Sequence, residues 1–411
     1  MTVDGIGAAF VRLGLRIGRH LPGYVDSYYG PDDIARAIES EDKLSPADLE
    51  APADRLAGEV VADPSLAPAR REYLLGEIAA MRTTLRILQH DSPDITEEVR
   101  RLYGVTPSWI DESRFAEAHD ALAGILPGTD PLSQRVEAFR ESLRIPTKVA
   151  APVIIRLGAE FRERARARFR LPSEERCDFS FVRDQPWTAY NWYLGGGISR
   201  IEFNEDHPIY IHQLPEIVAH ESYPGHHTEH TIKEEKLYRE EGRLEHAILL
   251  SNTPSALICE GIAQNALQVV AQPDEIVACY RDLLDEAGLP TEQAARVYEF
   301  TLASRPLEKV GDNQLLLLYG EGASDEEVVA YGMRHGLSTE ERQRRFLRFV
   351  KDPLWRSYGF NYTLGQDIVE AYLSASTGRV EAFARLLEEP MTPGQVLEAG
   401  RRTSAGGAAG T

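Results

Sequence analysis

Cysteine is scarce in this chain: Cys177, Cys259 and Cys279 are the only three in 411 residues. An odd, low count without metal-knuckle spacing excludes a disulfide scaffold and leads to the expectation of a reducing, cytoplasmic setting. Long apolar runs are lacking too, and no stretch approaches the roughly 18–20 residues that span a bilayer. The opening segment MTVDGIGAAFVRLGLRIGRH has an acid near its start and arginines within its apolar stretch, which is wrong for a secretory signal. Basic charge is in deficit: 45 Lys and Arg stand against 65 Asp and Glu, a formal net charge of −20. That balance argues against nucleic acid or an anionic membrane surface as partner. Internal repeats are absent, and the one low-complexity stretch is the Gly- and Ala-rich tail, residues 402–411, expected to be disordered.

What remains is an ordinary globular balance, 43% hydrophobic and 27% charged, in a chain long enough to bury a large core. Most of it carries helical period. Between Thr147 and Arg170 the apolar positions Val149, Val153, Ile154, Leu157 and Phe161 line one helical face, and arginines crowd its C-terminal end. Residues 178–212 differ. FSFVRD, WTAYNWYL and ISRIEFNE are short aromatic and β-branched runs separated by Gln185-Pro186 and three glycines, the pattern of two or three strands. The expected fold is mainly α with one small sheet. A boundary near 146 divides an N-terminal helical region, residues 1–146, from a catalytic region, residues 147–401.

Seven of the eleven histidines lie between His207 and His246. Singly, His207, His212 and His246 read as structural. The group His220-Glu221-Ser222-Tyr223-Pro224-Gly225-His226-His227 reads otherwise. A His-Glu pair with a second His one helical turn later places two imidazoles on one face, with the Glu as base for a metal-bound water. Here the position four residues on is Pro224, which cannot ligate a metal. In an undistorted helix His226 would lie about 240° round from His220, and His227 on nearly the same face but about 10 Å along the axis. A kink at Pro-Gly could return His226 to His220, so both remain candidates for the second ligand. A third protein ligand completes such a site and leaves a position for water. Glu260 is the candidate, because its apolar helical surroundings make an unpaired carboxylate costly.

HESYPGHH followed by EGIA at Glu260–Ala263 resembles the domain of unknown function 885 family, helical proteins similar to zinc peptidases such as carboxypeptidase Taq. The shared pattern is HE-x-x-PGHH and then EG-x-A, nine positions in order, and the likeness is best between Tyr190 and Val270. The resemblance implies a large helical fold with a cleft, one zinc ion held by His220, His226 and Glu260, and Glu221 as catalytic base. It also implies a role for two further elements. The strand around residues 195–204 would be an edge strand that pairs with extended substrate, with Arg200 and Asn204 as polar contacts. Tyr362, in a Tyr-x-x-Gly element ending at Gly365, would stabilise the oxyanion; Tyr358 and Tyr223 are equal candidates by residue type.

The aromatic turn at residues 22–31 reads as local packing, with a cleft wall as the alternative. Cys259 reads as an inert buried thiol rather than a nucleophile. The function expected is a zinc-dependent, carboxypeptidase-like hydrolase that cleaves amide bonds of short peptides, with oligomeric state left open. Two other readings stand beside it: a non-catalytic helical protein with a structural metal site, and a metallohydrolase acting on a non-peptide amide or ester.

Overall fold

Several helices in this chain begin where the sequence offers a cap. Ser45 and Ser324 form capping boxes with Asp48 and Glu327, and the Asp94 carboxylate accepts from the backbone N–H groups of Thr96 and Glu97. Proline occupies the first turn at Pro46, Pro68, Pro254 and Pro273, where its missing N–H costs nothing. The computed structural model describes residues 5–185 and 187–408, and its fold is mainly α with small sheets, as the periodicity predicts. The amphipathic helix expected from Thr147 ends at Arg166, with Val153, Ile154, Leu157 and Phe161 buried.

The aromatic and β-branched runs form one three-stranded sheet from Arg176–Val182, Ala189–Gly195 and Ile198–Asn204. Ile198–Asn204 is its central strand, parallel to the first and antiparallel to the second. This corrects the edge-strand expectation: both sides of Ile198–Asn204 are already hydrogen-bonded, so no substrate strand can add there. A second strand pair crosses the chain. Val25–Tyr28 runs antiparallel to Ile248–Leu250, with a register break between Val25 and Ser27.

Two hydrophobic cores lie beneath these elements. The smaller unites helices Gly5–Gly18, Pro46–Ala62 and Pro68–Leu88 with the strand Ile248–Leu250. The larger gathers residues from Ala80 to Ala399, so residues 95–143 share a core with the region that follows them, and Ala80 of Pro68–Leu88 joins it. No helix among the described residues is long and apolar enough to cross a membrane. The last helix runs from Pro393 to Ala408, past Arg402 where the disordered tail is expected to begin; residues 409–411 lie outside the described part.

Candidate metal centre

The helix Leu214–Glu221 carries His220 in its last turn and stops at Ser222, whose N–H and Oγ both bond the Val218 carbonyl. The chain then turns sharply through Tyr223, Pro224 and Gly225 and re-enters helix at His226–Lys233. Gly225 makes the turn possible. Its N–H bonds the Ala219 carbonyl at 3.0 Å, and a Cβ there would lie 1.9 Å from the His220 carbonyl oxygen. Only a residue without a side chain can fold back so closely on the helix it has left. The result brings His226 beside His220, ring centroids 4.6 Å apart.

His227 points the other way. It is fully buried between Ser199 Oγ, 2.8 Å from its Nδ1, and Glu175 Oε2, 3.0 Å from its Nε2. Glu175 also accepts from Tyr223, Arg162 and Arg166. Burial alone would raise the Glu175 carboxyl, but His227, Tyr223 and Arg162 outweigh it and hold it down at about 2. This anchor fixes the outer side of the turn, so the inner side, with His226, faces the cleft.

Glu260 comes from the helix Pro254–Gln264, which packs backbone to backbone on Gly359–Ala375. A Cβ on Gly261 would sit 2.3 Å from the Gly365 carbonyl oxygen, and one on Gly365 2.3 Å from that of Leu257. The Gly of EGIA and the Gly of Tyr362-x-x-Gly365 are thus the two halves of one contact. It sets Tyr358 to donate to Glu260 Oε1 at 2.7 Å. The other oxygen, Oε2, is buried without a hydrogen-bond partner, 3.4 Å from His220 Nε2 and 3.9 Å from His226 Nε2.

Two nitrogens and one oxygen around one point are the donor set of a tetrahedral zinc site, in which ligand atoms lie roughly 3.3 Å apart. At 3.4 and 3.9 Å from the two imidazole nitrogens, the unpartnered Oε2 could share a cation with them. Burial lowers His226 to about 4, helped by its neighbour His220, so its ring is neutral with a lone pair free. His220 is opposed by burial, but the Glu260 and Glu221 carboxylates outweigh it and raise its pKa. The spot favours positive charge. A second possible group, His226, His230 and Cys259, adjoins it, with His226 Nδ1 3.2 Å from Cys259 Sγ. Burial holds that thiol protonated, as an inert Cys259 requires.

Glu221 lines the same cleft, buried, its carboxylate without a hydrogen-bond partner among the described residues. Burial raises its pKa to about 7; His220 opposes this while Glu260 and Asp26 add to it. The three tyrosines separate. Tyr223 is committed to Glu175 and Tyr358 to Glu260. Tyr362 faces the cleft, its ring 5.7 Å from that of Tyr358, and burial keeps its hydroxyl protonated and able to donate.

Arg200 and Asn204 do not line the cleft. Arg200 is exposed, paired with Glu202 at 3.0 Å and stacked over Trp192. Asn204 is buried at the end of its strand, donating to the carbonyls of Gln185 and Trp187. Both belong to the sheet. His246 lines the cleft instead, as does His230, whose position four residues after His226 was a readable helical signal. Asp26 and Tyr29 from the aromatic turn also form part of the wall.

No protein-family model and no curated protein matches the chain. Among solved structures it is similar to a "putative lipoprotein" from Colwellia psychrerythraea, with a TM-score of 0.52 at 12% identity over 88% of this chain and 67% of that one. A "putative lipoprotein of unknown function" from Shewanella oneidensis gives a TM-score of 0.47 at 11% identity, over 89% and 74% respectively. At such identity the first likeness is one of fold.

Proposed function

We propose that the chain is a zinc-dependent metallopeptidase that cleaves short peptides, with one ion per chain held by His220, His226 and Glu260. The observation that carries this reading is the convergence of those three side chains beside a buried, unpartnered Glu221 in an aromatic-lined cleft. A zinc ion bound there supplies Lewis acidity and a water of lowered pKa. Glu221 then takes the proton of the attacking water and passes it to the leaving amine; its apolar setting and its freedom from other hydrogen bonds suit both roles. Tyr362 donates to the oxygen that gains charge during attack. Tyr358 acts at one remove, holding Glu260 in orientation through Oε1.

A purely structural metal site has ligands but no use for a desolvated base, and Glu221 favours the enzyme. The location proposed is the cytoplasm, on the strength of three free cysteines. The deciding experiment is Glu221→Gln. Turnover of a peptide library should fall by at least about a hundredfold while metal content and melting temperature hold. Unchanged turnover in that variant would remove the mechanism.

A further inference from the structure

The metal centre and its base leave one carboxylate of the cleft wall without a task. Asp26 sits at the register break of the strand Val25–Tyr28: Val25 pairs with Leu250 and Ser27 with Leu249, so Asp26 is the extra residue of a β-bulge. Bulges re-aim side chains and recur beside active sites. This one delivers Asp26 into the cleft with Glu221 and Glu260.

Its surroundings are short of donors. The Tyr190 hydroxyl bonds Oδ1, and Tyr190 is itself wedged between Trp187 and Trp192, at ring-centroid distances of 4.9 and 4.7 Å. Among the described residues no Lys, Arg or His pairs with Asp26. Asn191, the residue after Tyr190 on the strand Ala189–Gly195, also lines the cleft and is only 7% exposed. Its Nδ2 donates to the Glu221 backbone carbonyl at 2.6 Å, and its Oδ1 is buried with no partner. Asp26 thus has one donor for its two carboxylate oxygens, and the amide oxygen of Asn191 has none.

The complementary feature is missing. Lys233 is the one Lys or Arg lining the cleft among the described residues, and Glu229 already pairs with it. The histidines His230 and His246, also of the wall, are buried. Away from the proposed metal, a substrate carboxylate would find no free Lys or Arg, whereas a substrate ammonium would find the second carboxylate oxygen of Asp26 and the amide oxygen of Asn191. Even with a divalent ion among His220, His226 and Glu260, Asp26 remains uncompensated.

We propose that Asp26, with Asn191, binds the free α-ammonium group of a peptide substrate, so that the enzyme trims from the amino end. This rests on the peptidase reading and departs from the carboxypeptidase-like expectation. The ammonium carries three N–H donors, and a charged hydrogen bond inside a cleft discriminates strongly against its acylated form, which has neither the charge nor the donors. Asp26 is a binding residue in this scheme and takes no part in proton transfer.

The test compares ligands that differ only at the amine. L-Phenylalaninamide and N-acetyl-L-phenylalaninamide are titrated calorimetrically into the full chain, with and without zinc. Matched peptides, N-acetylated or C-amidated, are then assayed for cleavage. The free amine should bind at least about tenfold more tightly in both metal states. Asp26→Asn should erase the difference, N-acetylation should suppress cleavage, and C-amidation should be tolerated. Equal binding of the two amides to the wild type overturns the proposal, and so does a preference that survives in a folded Asp26→Asn. If that variant does not fold, the wild-type pair of ligands decides alone. Should no metal bind and no peptide be cut, the peptidase reading fails, while the zinc-free titration still judges Asp26.

Discussion

Replacing Gly261 by alanine tests whether the two motif glycines hold Glu260 in place. The added Cβ would stand 2.3 Å from the Gly365 carbonyl oxygen and 2.8 Å from Val369 Cγ2. Ordinary contact begins at 3.4 Å, so the helices Pro254–Gln264 and Gly359–Ala375 must part by 3.4 − 2.3 = 1.1 Å along that direction. At the Gly365 carbonyl backbone faces backbone, so no side-chain rotation relieves that clash. Overpacking of this kind costs about 1–3 kcal/mol. The same displacement stretches the 2.7 Å bond from Tyr358 to Glu260 beyond hydrogen-bonding reach, and a bond to a charged group is worth roughly 1.5–3 kcal/mol. The variant should be destabilised by about 2.5–6 kcal/mol in denaturant titration. It should also lose about a hundredfold in turnover, since a 1 Å misplacement costs that much. Wild-type stability together with wild-type turnover would refute the account of the helix contact.

Four further outcomes follow from the same geometry. His226→Ala should abolish metal binding, whereas His227→Ala should keep the metal and lower the melting temperature, because His227 faces Glu175; elemental analysis beside thermal melts separates the two. Tyr358→Phe should weaken zinc affinity about 10–100-fold in a competition titration, while Tyr362→Phe should lower kcat with affinity unchanged. Glu175→Gln should cost about 3 kcal/mol at neutral pH, from a carboxyl held at about 2 against an ordinary 4.5. Since that pKa is depressed, the contribution is complete above about pH 5 and is lost as pH falls through about 2, so stability curves of variant and wild type should converge in acid. Arg200→Ala should leave turnover unaltered in a steady-state assay, because the side chain lies on the outer face of the sheet.

Much of this was readable before any coordinates. Helical period, proline at first turns and the aromatic strand runs are local signals, and the mainly α fold with its small sheet follows from them. His220, Glu221 and Glu260 stand out because a metal site admits few residue types. The choice between His226 and His227 did not, because it depends on how tightly residues 222–225 fold back, and that is decided by the His220 carbonyl meeting Gly225. The sequence does not show that Arg200 and Asn204 lie away from the cleft for a different reason: alternation along a strand says nothing of its place in the sheet, and Ile198–Asn204 is central. Asp26 was hidden by distance. It reaches the cleft through pairing with Ile248–Leu250, more than two hundred residues away in sequence, and no local pattern marks the bulge.

The central claim is the metal centre, and metal content tests it most directly. Wild-type protein, His220→Ala and Glu260→Ala are purified identically, supplied with zinc, dialysed, and measured by elemental mass spectrometry beside circular dichroism. About one zinc per chain is expected in the wild type and none in either variant, with helical signal retained in all three. A wild type that binds no zinc, or variants that keep it, would contradict the account and return the histidine cluster to the interior of an ordinary helical protein.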